Sequence, residues 1–153
     1  VFGADLAYVQ LGQSANSNLG NLTTILSPQA LQRVTQGGLS ASWNGNFTSG
    51  DALIYSSNQR YIVFKFKNKV KSVGFQIQSG VLGSFSCGFQ VFDSSDCIVG
   101  QTTASGTSST ANDGSALFVG INNSNTCIEK VVVRLDPPTP SINRFSINRI
   151  LLA

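Results

Sequence analysis

Glu129 and six aspartates are the only carboxylates in this 153-residue sequence, and it contains no histidine. Without an imidazole, no Ser-His-Asp or Cys-His arrangement can form within the chain. Asp51, Asp93, Asp96 and Asp113 each stand beside Gly or Ser, where a short carboxylate is favoured simply for hydrogen bonding the turn. Glu129 opens a strand-like run beside Lys130 and reads as solvated or paired with lysine. A glycosidase needs two carboxyls facing each other across a set gap, and no spacing here supplies them. Asp93-Ser94-Ser95-Asp96 and Asn112-Asp113-Gly114 are the oxygen-rich candidates for calcium. Neither is a spaced acidic loop ending in Glu, so turns are the better reading. The expectation is no catalytic residue, no metal and no cofactor.

Binding chemistry is better supplied. Trp43, Tyr55 and Tyr61 offer flat rings that can stack on pyranose faces, which makes glycans a candidate partner. The alternative for the single Trp is core packing. Lys65, Lys67, Lys69 and Lys71 alternate along one stretch. They read either as a patch for an acidic partner or, preferably, as guards on an edge strand. The net charge of +3 is too small to suggest nucleic acid. The three cysteines form no Cys-x-x-Cys pair. Cys87 shares an apolar strand face with Phe85, Phe89 and Val91 and reads as a small hydrophobe. Cys97 and Cys127 sit at turn-to-strand boundaries and are the candidate disulfide. Asn21, Asn46 and Asn122 head glycosylation sequons, but so many Asn, Ser and Thr residues would produce about that number by chance.

The elements that must position these groups read as strands. Ile62, Phe64 and Phe66 alternate with Val63, Lys65 and Lys67, the period of a strand with one wet face. Strands are expected at 5–11, 39–43, 52–56, 60–66, 70–78, 85–92, 97–103, 115–121, 128–135 and 142–151. A polar turn at 93–96 makes one hairpin. A Ser/Thr/Gly loop is expected at 104–113, and Pro137-Pro138 should break pairing before the last strand. One short helix is expected, with Ser27 as cap, Pro28 at its first position and Gly37 at its end. The fold class is all-β, a jelly-roll-like antiparallel β-sandwich, with the long connections suited to sheet-to-sheet crossings.

Residues 1–12 read as an N-terminal strand, 13–21 as a flexible tether and 22–153 as the sandwich. The first strand is apolar on both faces: Val1, Phe2, Ala4, Leu6, Tyr8, Val9 and Leu11 could all be buried by a partner. On a tether, such a strand could complete the sheet of an identical subunit, and head-to-tail donation builds a filament. The alternative is pairing within its own domain.

Charged residues are only 11% of the chain against a typical value of about 25%. Solubility therefore rests on uncharged polar groups, which suits the extracellular space. A chain beginning at Val1 with no Met is expected to be a processed, secreted product. No stretch approaches the ~18 apolar residues of a membrane span.

Three groups of residues carry a resemblance: Gly50-Asp51-Ala52-Leu53-Ile54-Tyr55, Val73-Gly74-Phe75-Gln76-Ile77-Gln78 and Phe89-Gln90-Val91-Phe92-Asp93. The runs 113–121, 128–133 and 145–148 extend it over about residues 50–151. They resemble exported bacterial β-sandwich domains of the kind found in PEP-CTERM-type surface proteins. The resemblance implies an extracellular, non-enzymatic role in surface, matrix or filament, and transfers no site residues. The sorting signal of that group, a Pro-Glu-Pro motif with an apolar span and basic tail, is not in this sequence. The leading expectation is a secreted structural subunit that assembles through its N-terminal strand. The alternative is an extracellular carbohydrate-binding module using Trp43, Tyr55 or Tyr61.

Overall fold

Period-two burial runs through most of the chain and divides it between two sheets. The computed structural model describes residues 4–16, 22–27, 31–37, 43–123, 125–136 and 144–153. The strands are β1 (Tyr8–Val9), β2 (Ser14–Asn16), β3 (Leu22–Ile25), β4 (Leu31–Thr35), β5 (Ala52–Ser56) and β6 (Tyr61–Val70). They continue as β7 (Ser72–Ser79), β8 (Gly83–Phe92), β9 (Ile98–Ser108), β10 (Leu117–Asn122), β11 (Ile128–Asp136) and β12 (Phe145–Leu152). Sheet A runs β1-β4-β5-β12-β7-β10 and sheet B runs β2-β3-β6-β11-β8-β9, with every pairing antiparallel. From β5 to β8, and again from β9 to β12, each successive strand changes sheet. This is the jelly-roll-like sandwich that the strand pattern anticipates.

Alternation explains the layers. Ile62, Phe64 and Phe66 of β6, Phe85, Cys87, Phe89 and Val91 of β8, and Val131, Val133 and Leu135 of β11 turn inward from sheet B. Val73, Phe75 and Ile77 of β7 and Phe145 and Ile147 of β12 meet them from sheet A. Phe75 is the hinge of the packing. Its ring centroid lies 5.8 Å from that of Phe64 and 5.2 Å from that of Phe89, stacked on one and edge-on to the other.

Several expectations need correction. No helix occurs among the described residues. Leu31–Thr35 is a strand held on both sides, by β1 and β5, and its β-branched Val34 and Thr35 suit that state. Ser27 is fully buried, and its Oγ accepts the Val63 N–H at 3.1 Å instead of capping a helix. Residues 28–30 and 38–42 lie outside the described residues, as does all but Trp43 of the strand expected at 39–43. Within the expected tether, Ser14–Asn16 forms β2 against β3, and Ser14 Oγ lies 2.7 Å from Thr24 Oγ1. Residues 104–108, expected as loop, extend β9. Packing is tight at Gly106, where a Cβ would stand 3.1 Å from Leu117 and 3.2 Å from the Phe85 ring. Of the lysine run, Lys65 lies within the sheet, opposite Thr24 of β3 and Lys130 of β11, with its Nζ 3.6 Å from Glu129.

The N-terminal strand, read above as available to a neighbour, pairs within its own chain. Tyr8 stands opposite Gln32 and Val9 opposite Leu31 in β4. Val9 is fully buried, and Asp5 meets Arg33 at 2.8 Å. Ala4, Leu6, Tyr8 and Leu11 are exposed, while Val1 and Phe2 lie outside the described residues.

All three cysteines are unbridged, including the expected pair Cys97 and Cys127. Burial pushes the Cys87 thiol up from an ordinary 9.0 to about 11. The folded thiol thus keeps its proton to higher pH than the unfolded one. Its contribution to stability is whole below pH 9 and is lost as pH rises through about 11. Cys97 is therefore expected to react first with an aromatic disulfide reagent, and Cys87 only after unfolding. Rapid labelling of Cys87 in the native protein would contradict this. Phe75→Ala should cost about 3–5 kcal/mol, read from urea unfolding, because it opens a cavity between two rings.

Candidate functional site

The outward-facing side of sheet A is not uniformly wet. Val34 of β4 and Leu53 of β5 are apolar residues on that outer face, and both are buried. What covers them is a second, smaller core with Phe47 and Ala116, against which Trp43 and Tyr55 pack. Phe47 is fully buried although it lies outside every strand. The segment 43–50 is thus folded back over the sheet by burial of one phenylalanine.

A polar network pins the segment. The Gln78 side-chain Oε1, on β7, accepts the Asn46 N–H at 2.7 Å, and its Nε2 donates to the Ser109 carbonyl at 3.0 Å. The Asn46 Nδ2 donates to the hydroxyls of Ser109 and Ser115, both at 2.9 Å, and its Oδ1 accepts the Ser109 N–H. Gln36 accepts the Gly45 N–H at 3.1 Å and returns a bond to the Gly45 carbonyl at 2.9 Å. Gln36, Asn46 and Gln78 are all buried, so their amides are held by partners that replace water. Any side chain at Gly45 must displace a neighbour, since a Cβ there would lie 2.2 Å from Gln78 Oε1 and 2.4 Å from Trp43 Nε1. Asn46 heads one of the sequons, but a buried amide already bonded at both ends is no glycan acceptor. Asn122 is exposed, and Asn21 lies outside the described residues.

Trp43 emerges beside this plug. Its ring centroid lies 5.5 Å from that of Tyr55, tilted by 54°. Strand register places Gln32, Tyr55, Ser146 and Gln78 in one row across the outer face of β4, β5, β12 and β7. Gly80 lets the indole come near, for a Cβ there would sit 3.2 Å from the Trp43 ring and 2.8 Å from Arg144. The result is a cleft of about 230 Å3 lined by Gln32, Trp43, Asn44, Tyr55, Gln78 and Arg144, among others. Trp43 and Tyr55 are partly exposed, and Arg144 and Asn44 are exposed. Trp43 Nε1 and Ser146 Oγ are buried with no hydrogen-bond partner among the described residues.

Among the described residues, the cleft has no carboxylate or thiol in its lining. Among those residues it offers aromatic surface, amides and the exposed Arg144 at its edge, which is equipment for binding. Trp43 and Tyr55, two of the three aromatic candidates, come together here. Tyr61 does not. It lies opposite Arg134 on the outer face of sheet B. That face has its own depression of about 310 Å3 around Gly88, Gln90, Gln101, Thr103, Val132 and Arg134. Some of its polar groups are already paired. Gln90 donates to Gln101 at 3.3 Å, and Arg134 pairs with Asp136 at 2.7 Å. Sequence reasoning missed Gln32, Asn44, Gln78 and Arg144.

No protein-family model matches the chain, and no curated protein sequence matches it. Among solved structures, the CBM32 of AlyQ in complex with 4,5-unsaturated mannuronic acid is 12% identical with a TM-score of 0.44, covering 86% of this chain and 92% of that one. The arabinose-bound α-L-arabinofuranosidase MgGH51 is 10% identical with a TM-score of 0.45, covering 85% of this chain and 22% of that one. Neither likeness is close enough to carry a residue or a ligand across.

Trp43 is the sole tryptophan, so its fluorescence reports on the plug directly. Gly45→Ala is expected to shift the emission to the red and to cost about 1–3 kcal/mol through overpacking. Gln78→Leu should cost about 1–3 kcal/mol by leaving the buried Asn46 N–H unpaired. Unchanged emission and melting temperature in both variants would contradict the plug.

Proposed function

We propose that this domain is a carbohydrate-binding module and that the Trp43–Tyr55 cleft is its binding site. The observation that carries the reading is the juxtaposition of two partly exposed rings with amides and a guanidinium in one cleft. A sugar ring has an apolar face of C–H groups and an equatorial belt of hydroxyls. Indole and phenol rings take the first, and the exposed Asn44 amide and Arg144 suit the second. The plug around Phe47 holds Trp43 in place before any ligand arrives, which lowers the ordering cost of binding.

We further propose that the module works outside the cell, supported by its low charge and its abundance of Ser, Thr, Asn and Gln. Assembly into a filament by strand donation draws no support from the structure, since β1 fills the edge of its own sheet A and Val9 is buried in its own core.

Glycan-array screening followed by titration of the best ligand tests the reading. Trp43→Ala and Tyr55→Ala should each weaken binding by about ten-fold or more, as truncation of aromatic anchors does. Tyr61→Ala, on the far face, should leave it unchanged. Retained binding in Trp43→Ala would contradict the assignment.

A further inference from the structure

Arg144 gives the cleft a chemical bias. It lines the cleft at the Gly80 side, where its carbonyl accepts the Gly80 N–H at 2.8 Å and fixes the backbone beside Trp43. Its side chain is exposed and has no ion-pair partner among the described residues. Among the described residues, the cleft lining contains no Asp or Glu. This sets it apart from the other arginines whose pairing is seen: Arg33 is neutralised by Asp5 and Arg134 by Asp136. A neutral saccharide seated against Trp43 and Tyr55 would strip water from the guanidinium and return only hydroxyl contacts. A saccharide carrying a carboxylate would return a paired, bidentate, charge-assisted contact. Arginine's planar fork matches that group in geometry as well as in charge.

We propose that the cleft selects acidic saccharides, with the uronic-acid carboxylate seated on Arg144 and the pyranose ring on Trp43 and Tyr55. This deepens the carbohydrate-binding reading and rests on it. Lys65, Lys67 and Lys69 play no part, because they belong to β6 in the other sheet.

The test uses the whole domain and a panel of uronic-acid trisaccharides of differing stereochemistry, each with its methyl ester. The ester keeps the shape and removes the charge. Calorimetric titration of the wild type is expected to show the acid bound about ten-fold or more tighter than its ester. That preference should weaken as ionic strength rises. Arg144→Gln should bring acid and ester to the same affinity while retaining the weak binding of the ester. Arg144→Lys should restore only part of the preference. Equal affinity of wild type for acid and ester would overturn the acidic-ligand proposal while leaving carbohydrate binding intact, as would a preference that survives Arg144→Gln. Absence of binding to every acidic and neutral saccharide would overturn both.

Discussion

The carboxamide of Gln78 decides where the segment over sheet A can lie. It is buried on β7, and each of its two ends is committed, one to the Asn46 N–H and the other to the Ser109 carbonyl. An amide in that position must be satisfied by something other than water, and only a chain folded back over the sheet can satisfy it. Once Asn46 is held, Phe47 falls over Val34 and Leu53, Gly45 is pressed between Gln78 and Trp43, and the indole comes to rest beside Tyr55. Hydrophobic burial supplies the driving force, while the amide network supplies the register.

The sandwich beneath is what makes that arrangement stiff. Tyr55, Ser146 and Gln78 belong to three neighbouring strands, so the spacing of the cleft floor is the spacing of a hydrogen-bonded sheet. Those strands are anchored on their other face by Ile54, Phe145 and Ile147 in the main core. A ligand site whose floor is a sheet and whose wall is a plugged loop has little left to order on binding.

The strand framework was largely legible, and the reason lies in particular residues. Ile62, Phe64 and Phe66, or Phe85, Cys87 and Phe89, alternate so strictly that only a pleated strand buries them together. The failures share a cause. Ser27, Pro28 and Gly37 have the punctuation of a helix, but Leu31 to Thr35 is claimed from both sides by β1 and β5, and sheet pairing overrides local signals. Residues 104–108 look like loop because they are small and polar, yet they form strand, and Gly106 among them leaves room for the Phe85 ring and Leu117. Of the cleft, the sequence disclosed Trp43 and Tyr55 because aromatic residues announce themselves. It could not disclose Gln32, Gln78 or Arg144. Their relevance comes only from contacts between segments far apart in the chain, 23 positions from Gln32 to Tyr55 and 112 from Gln32 to Arg144. Tyr61 carried the same chemical signal as Tyr55 and went to the opposite face, because which sheet a strand joins is not written in its side-chain types.

Saccharide binding on the outer face of sheet A, against Trp43, is measurable by nitrogen–proton correlation NMR of the labelled domain during saccharide titration. The Trp43 indole, the Gln32 and Gln78 side-chain amides and the backbone of Tyr55 should shift together along one binding curve. Shifts confined to Gln90, Gln101 and Arg134 on the outer face of sheet B would contradict it, and so would an unmoved Trp43 indole at saturation.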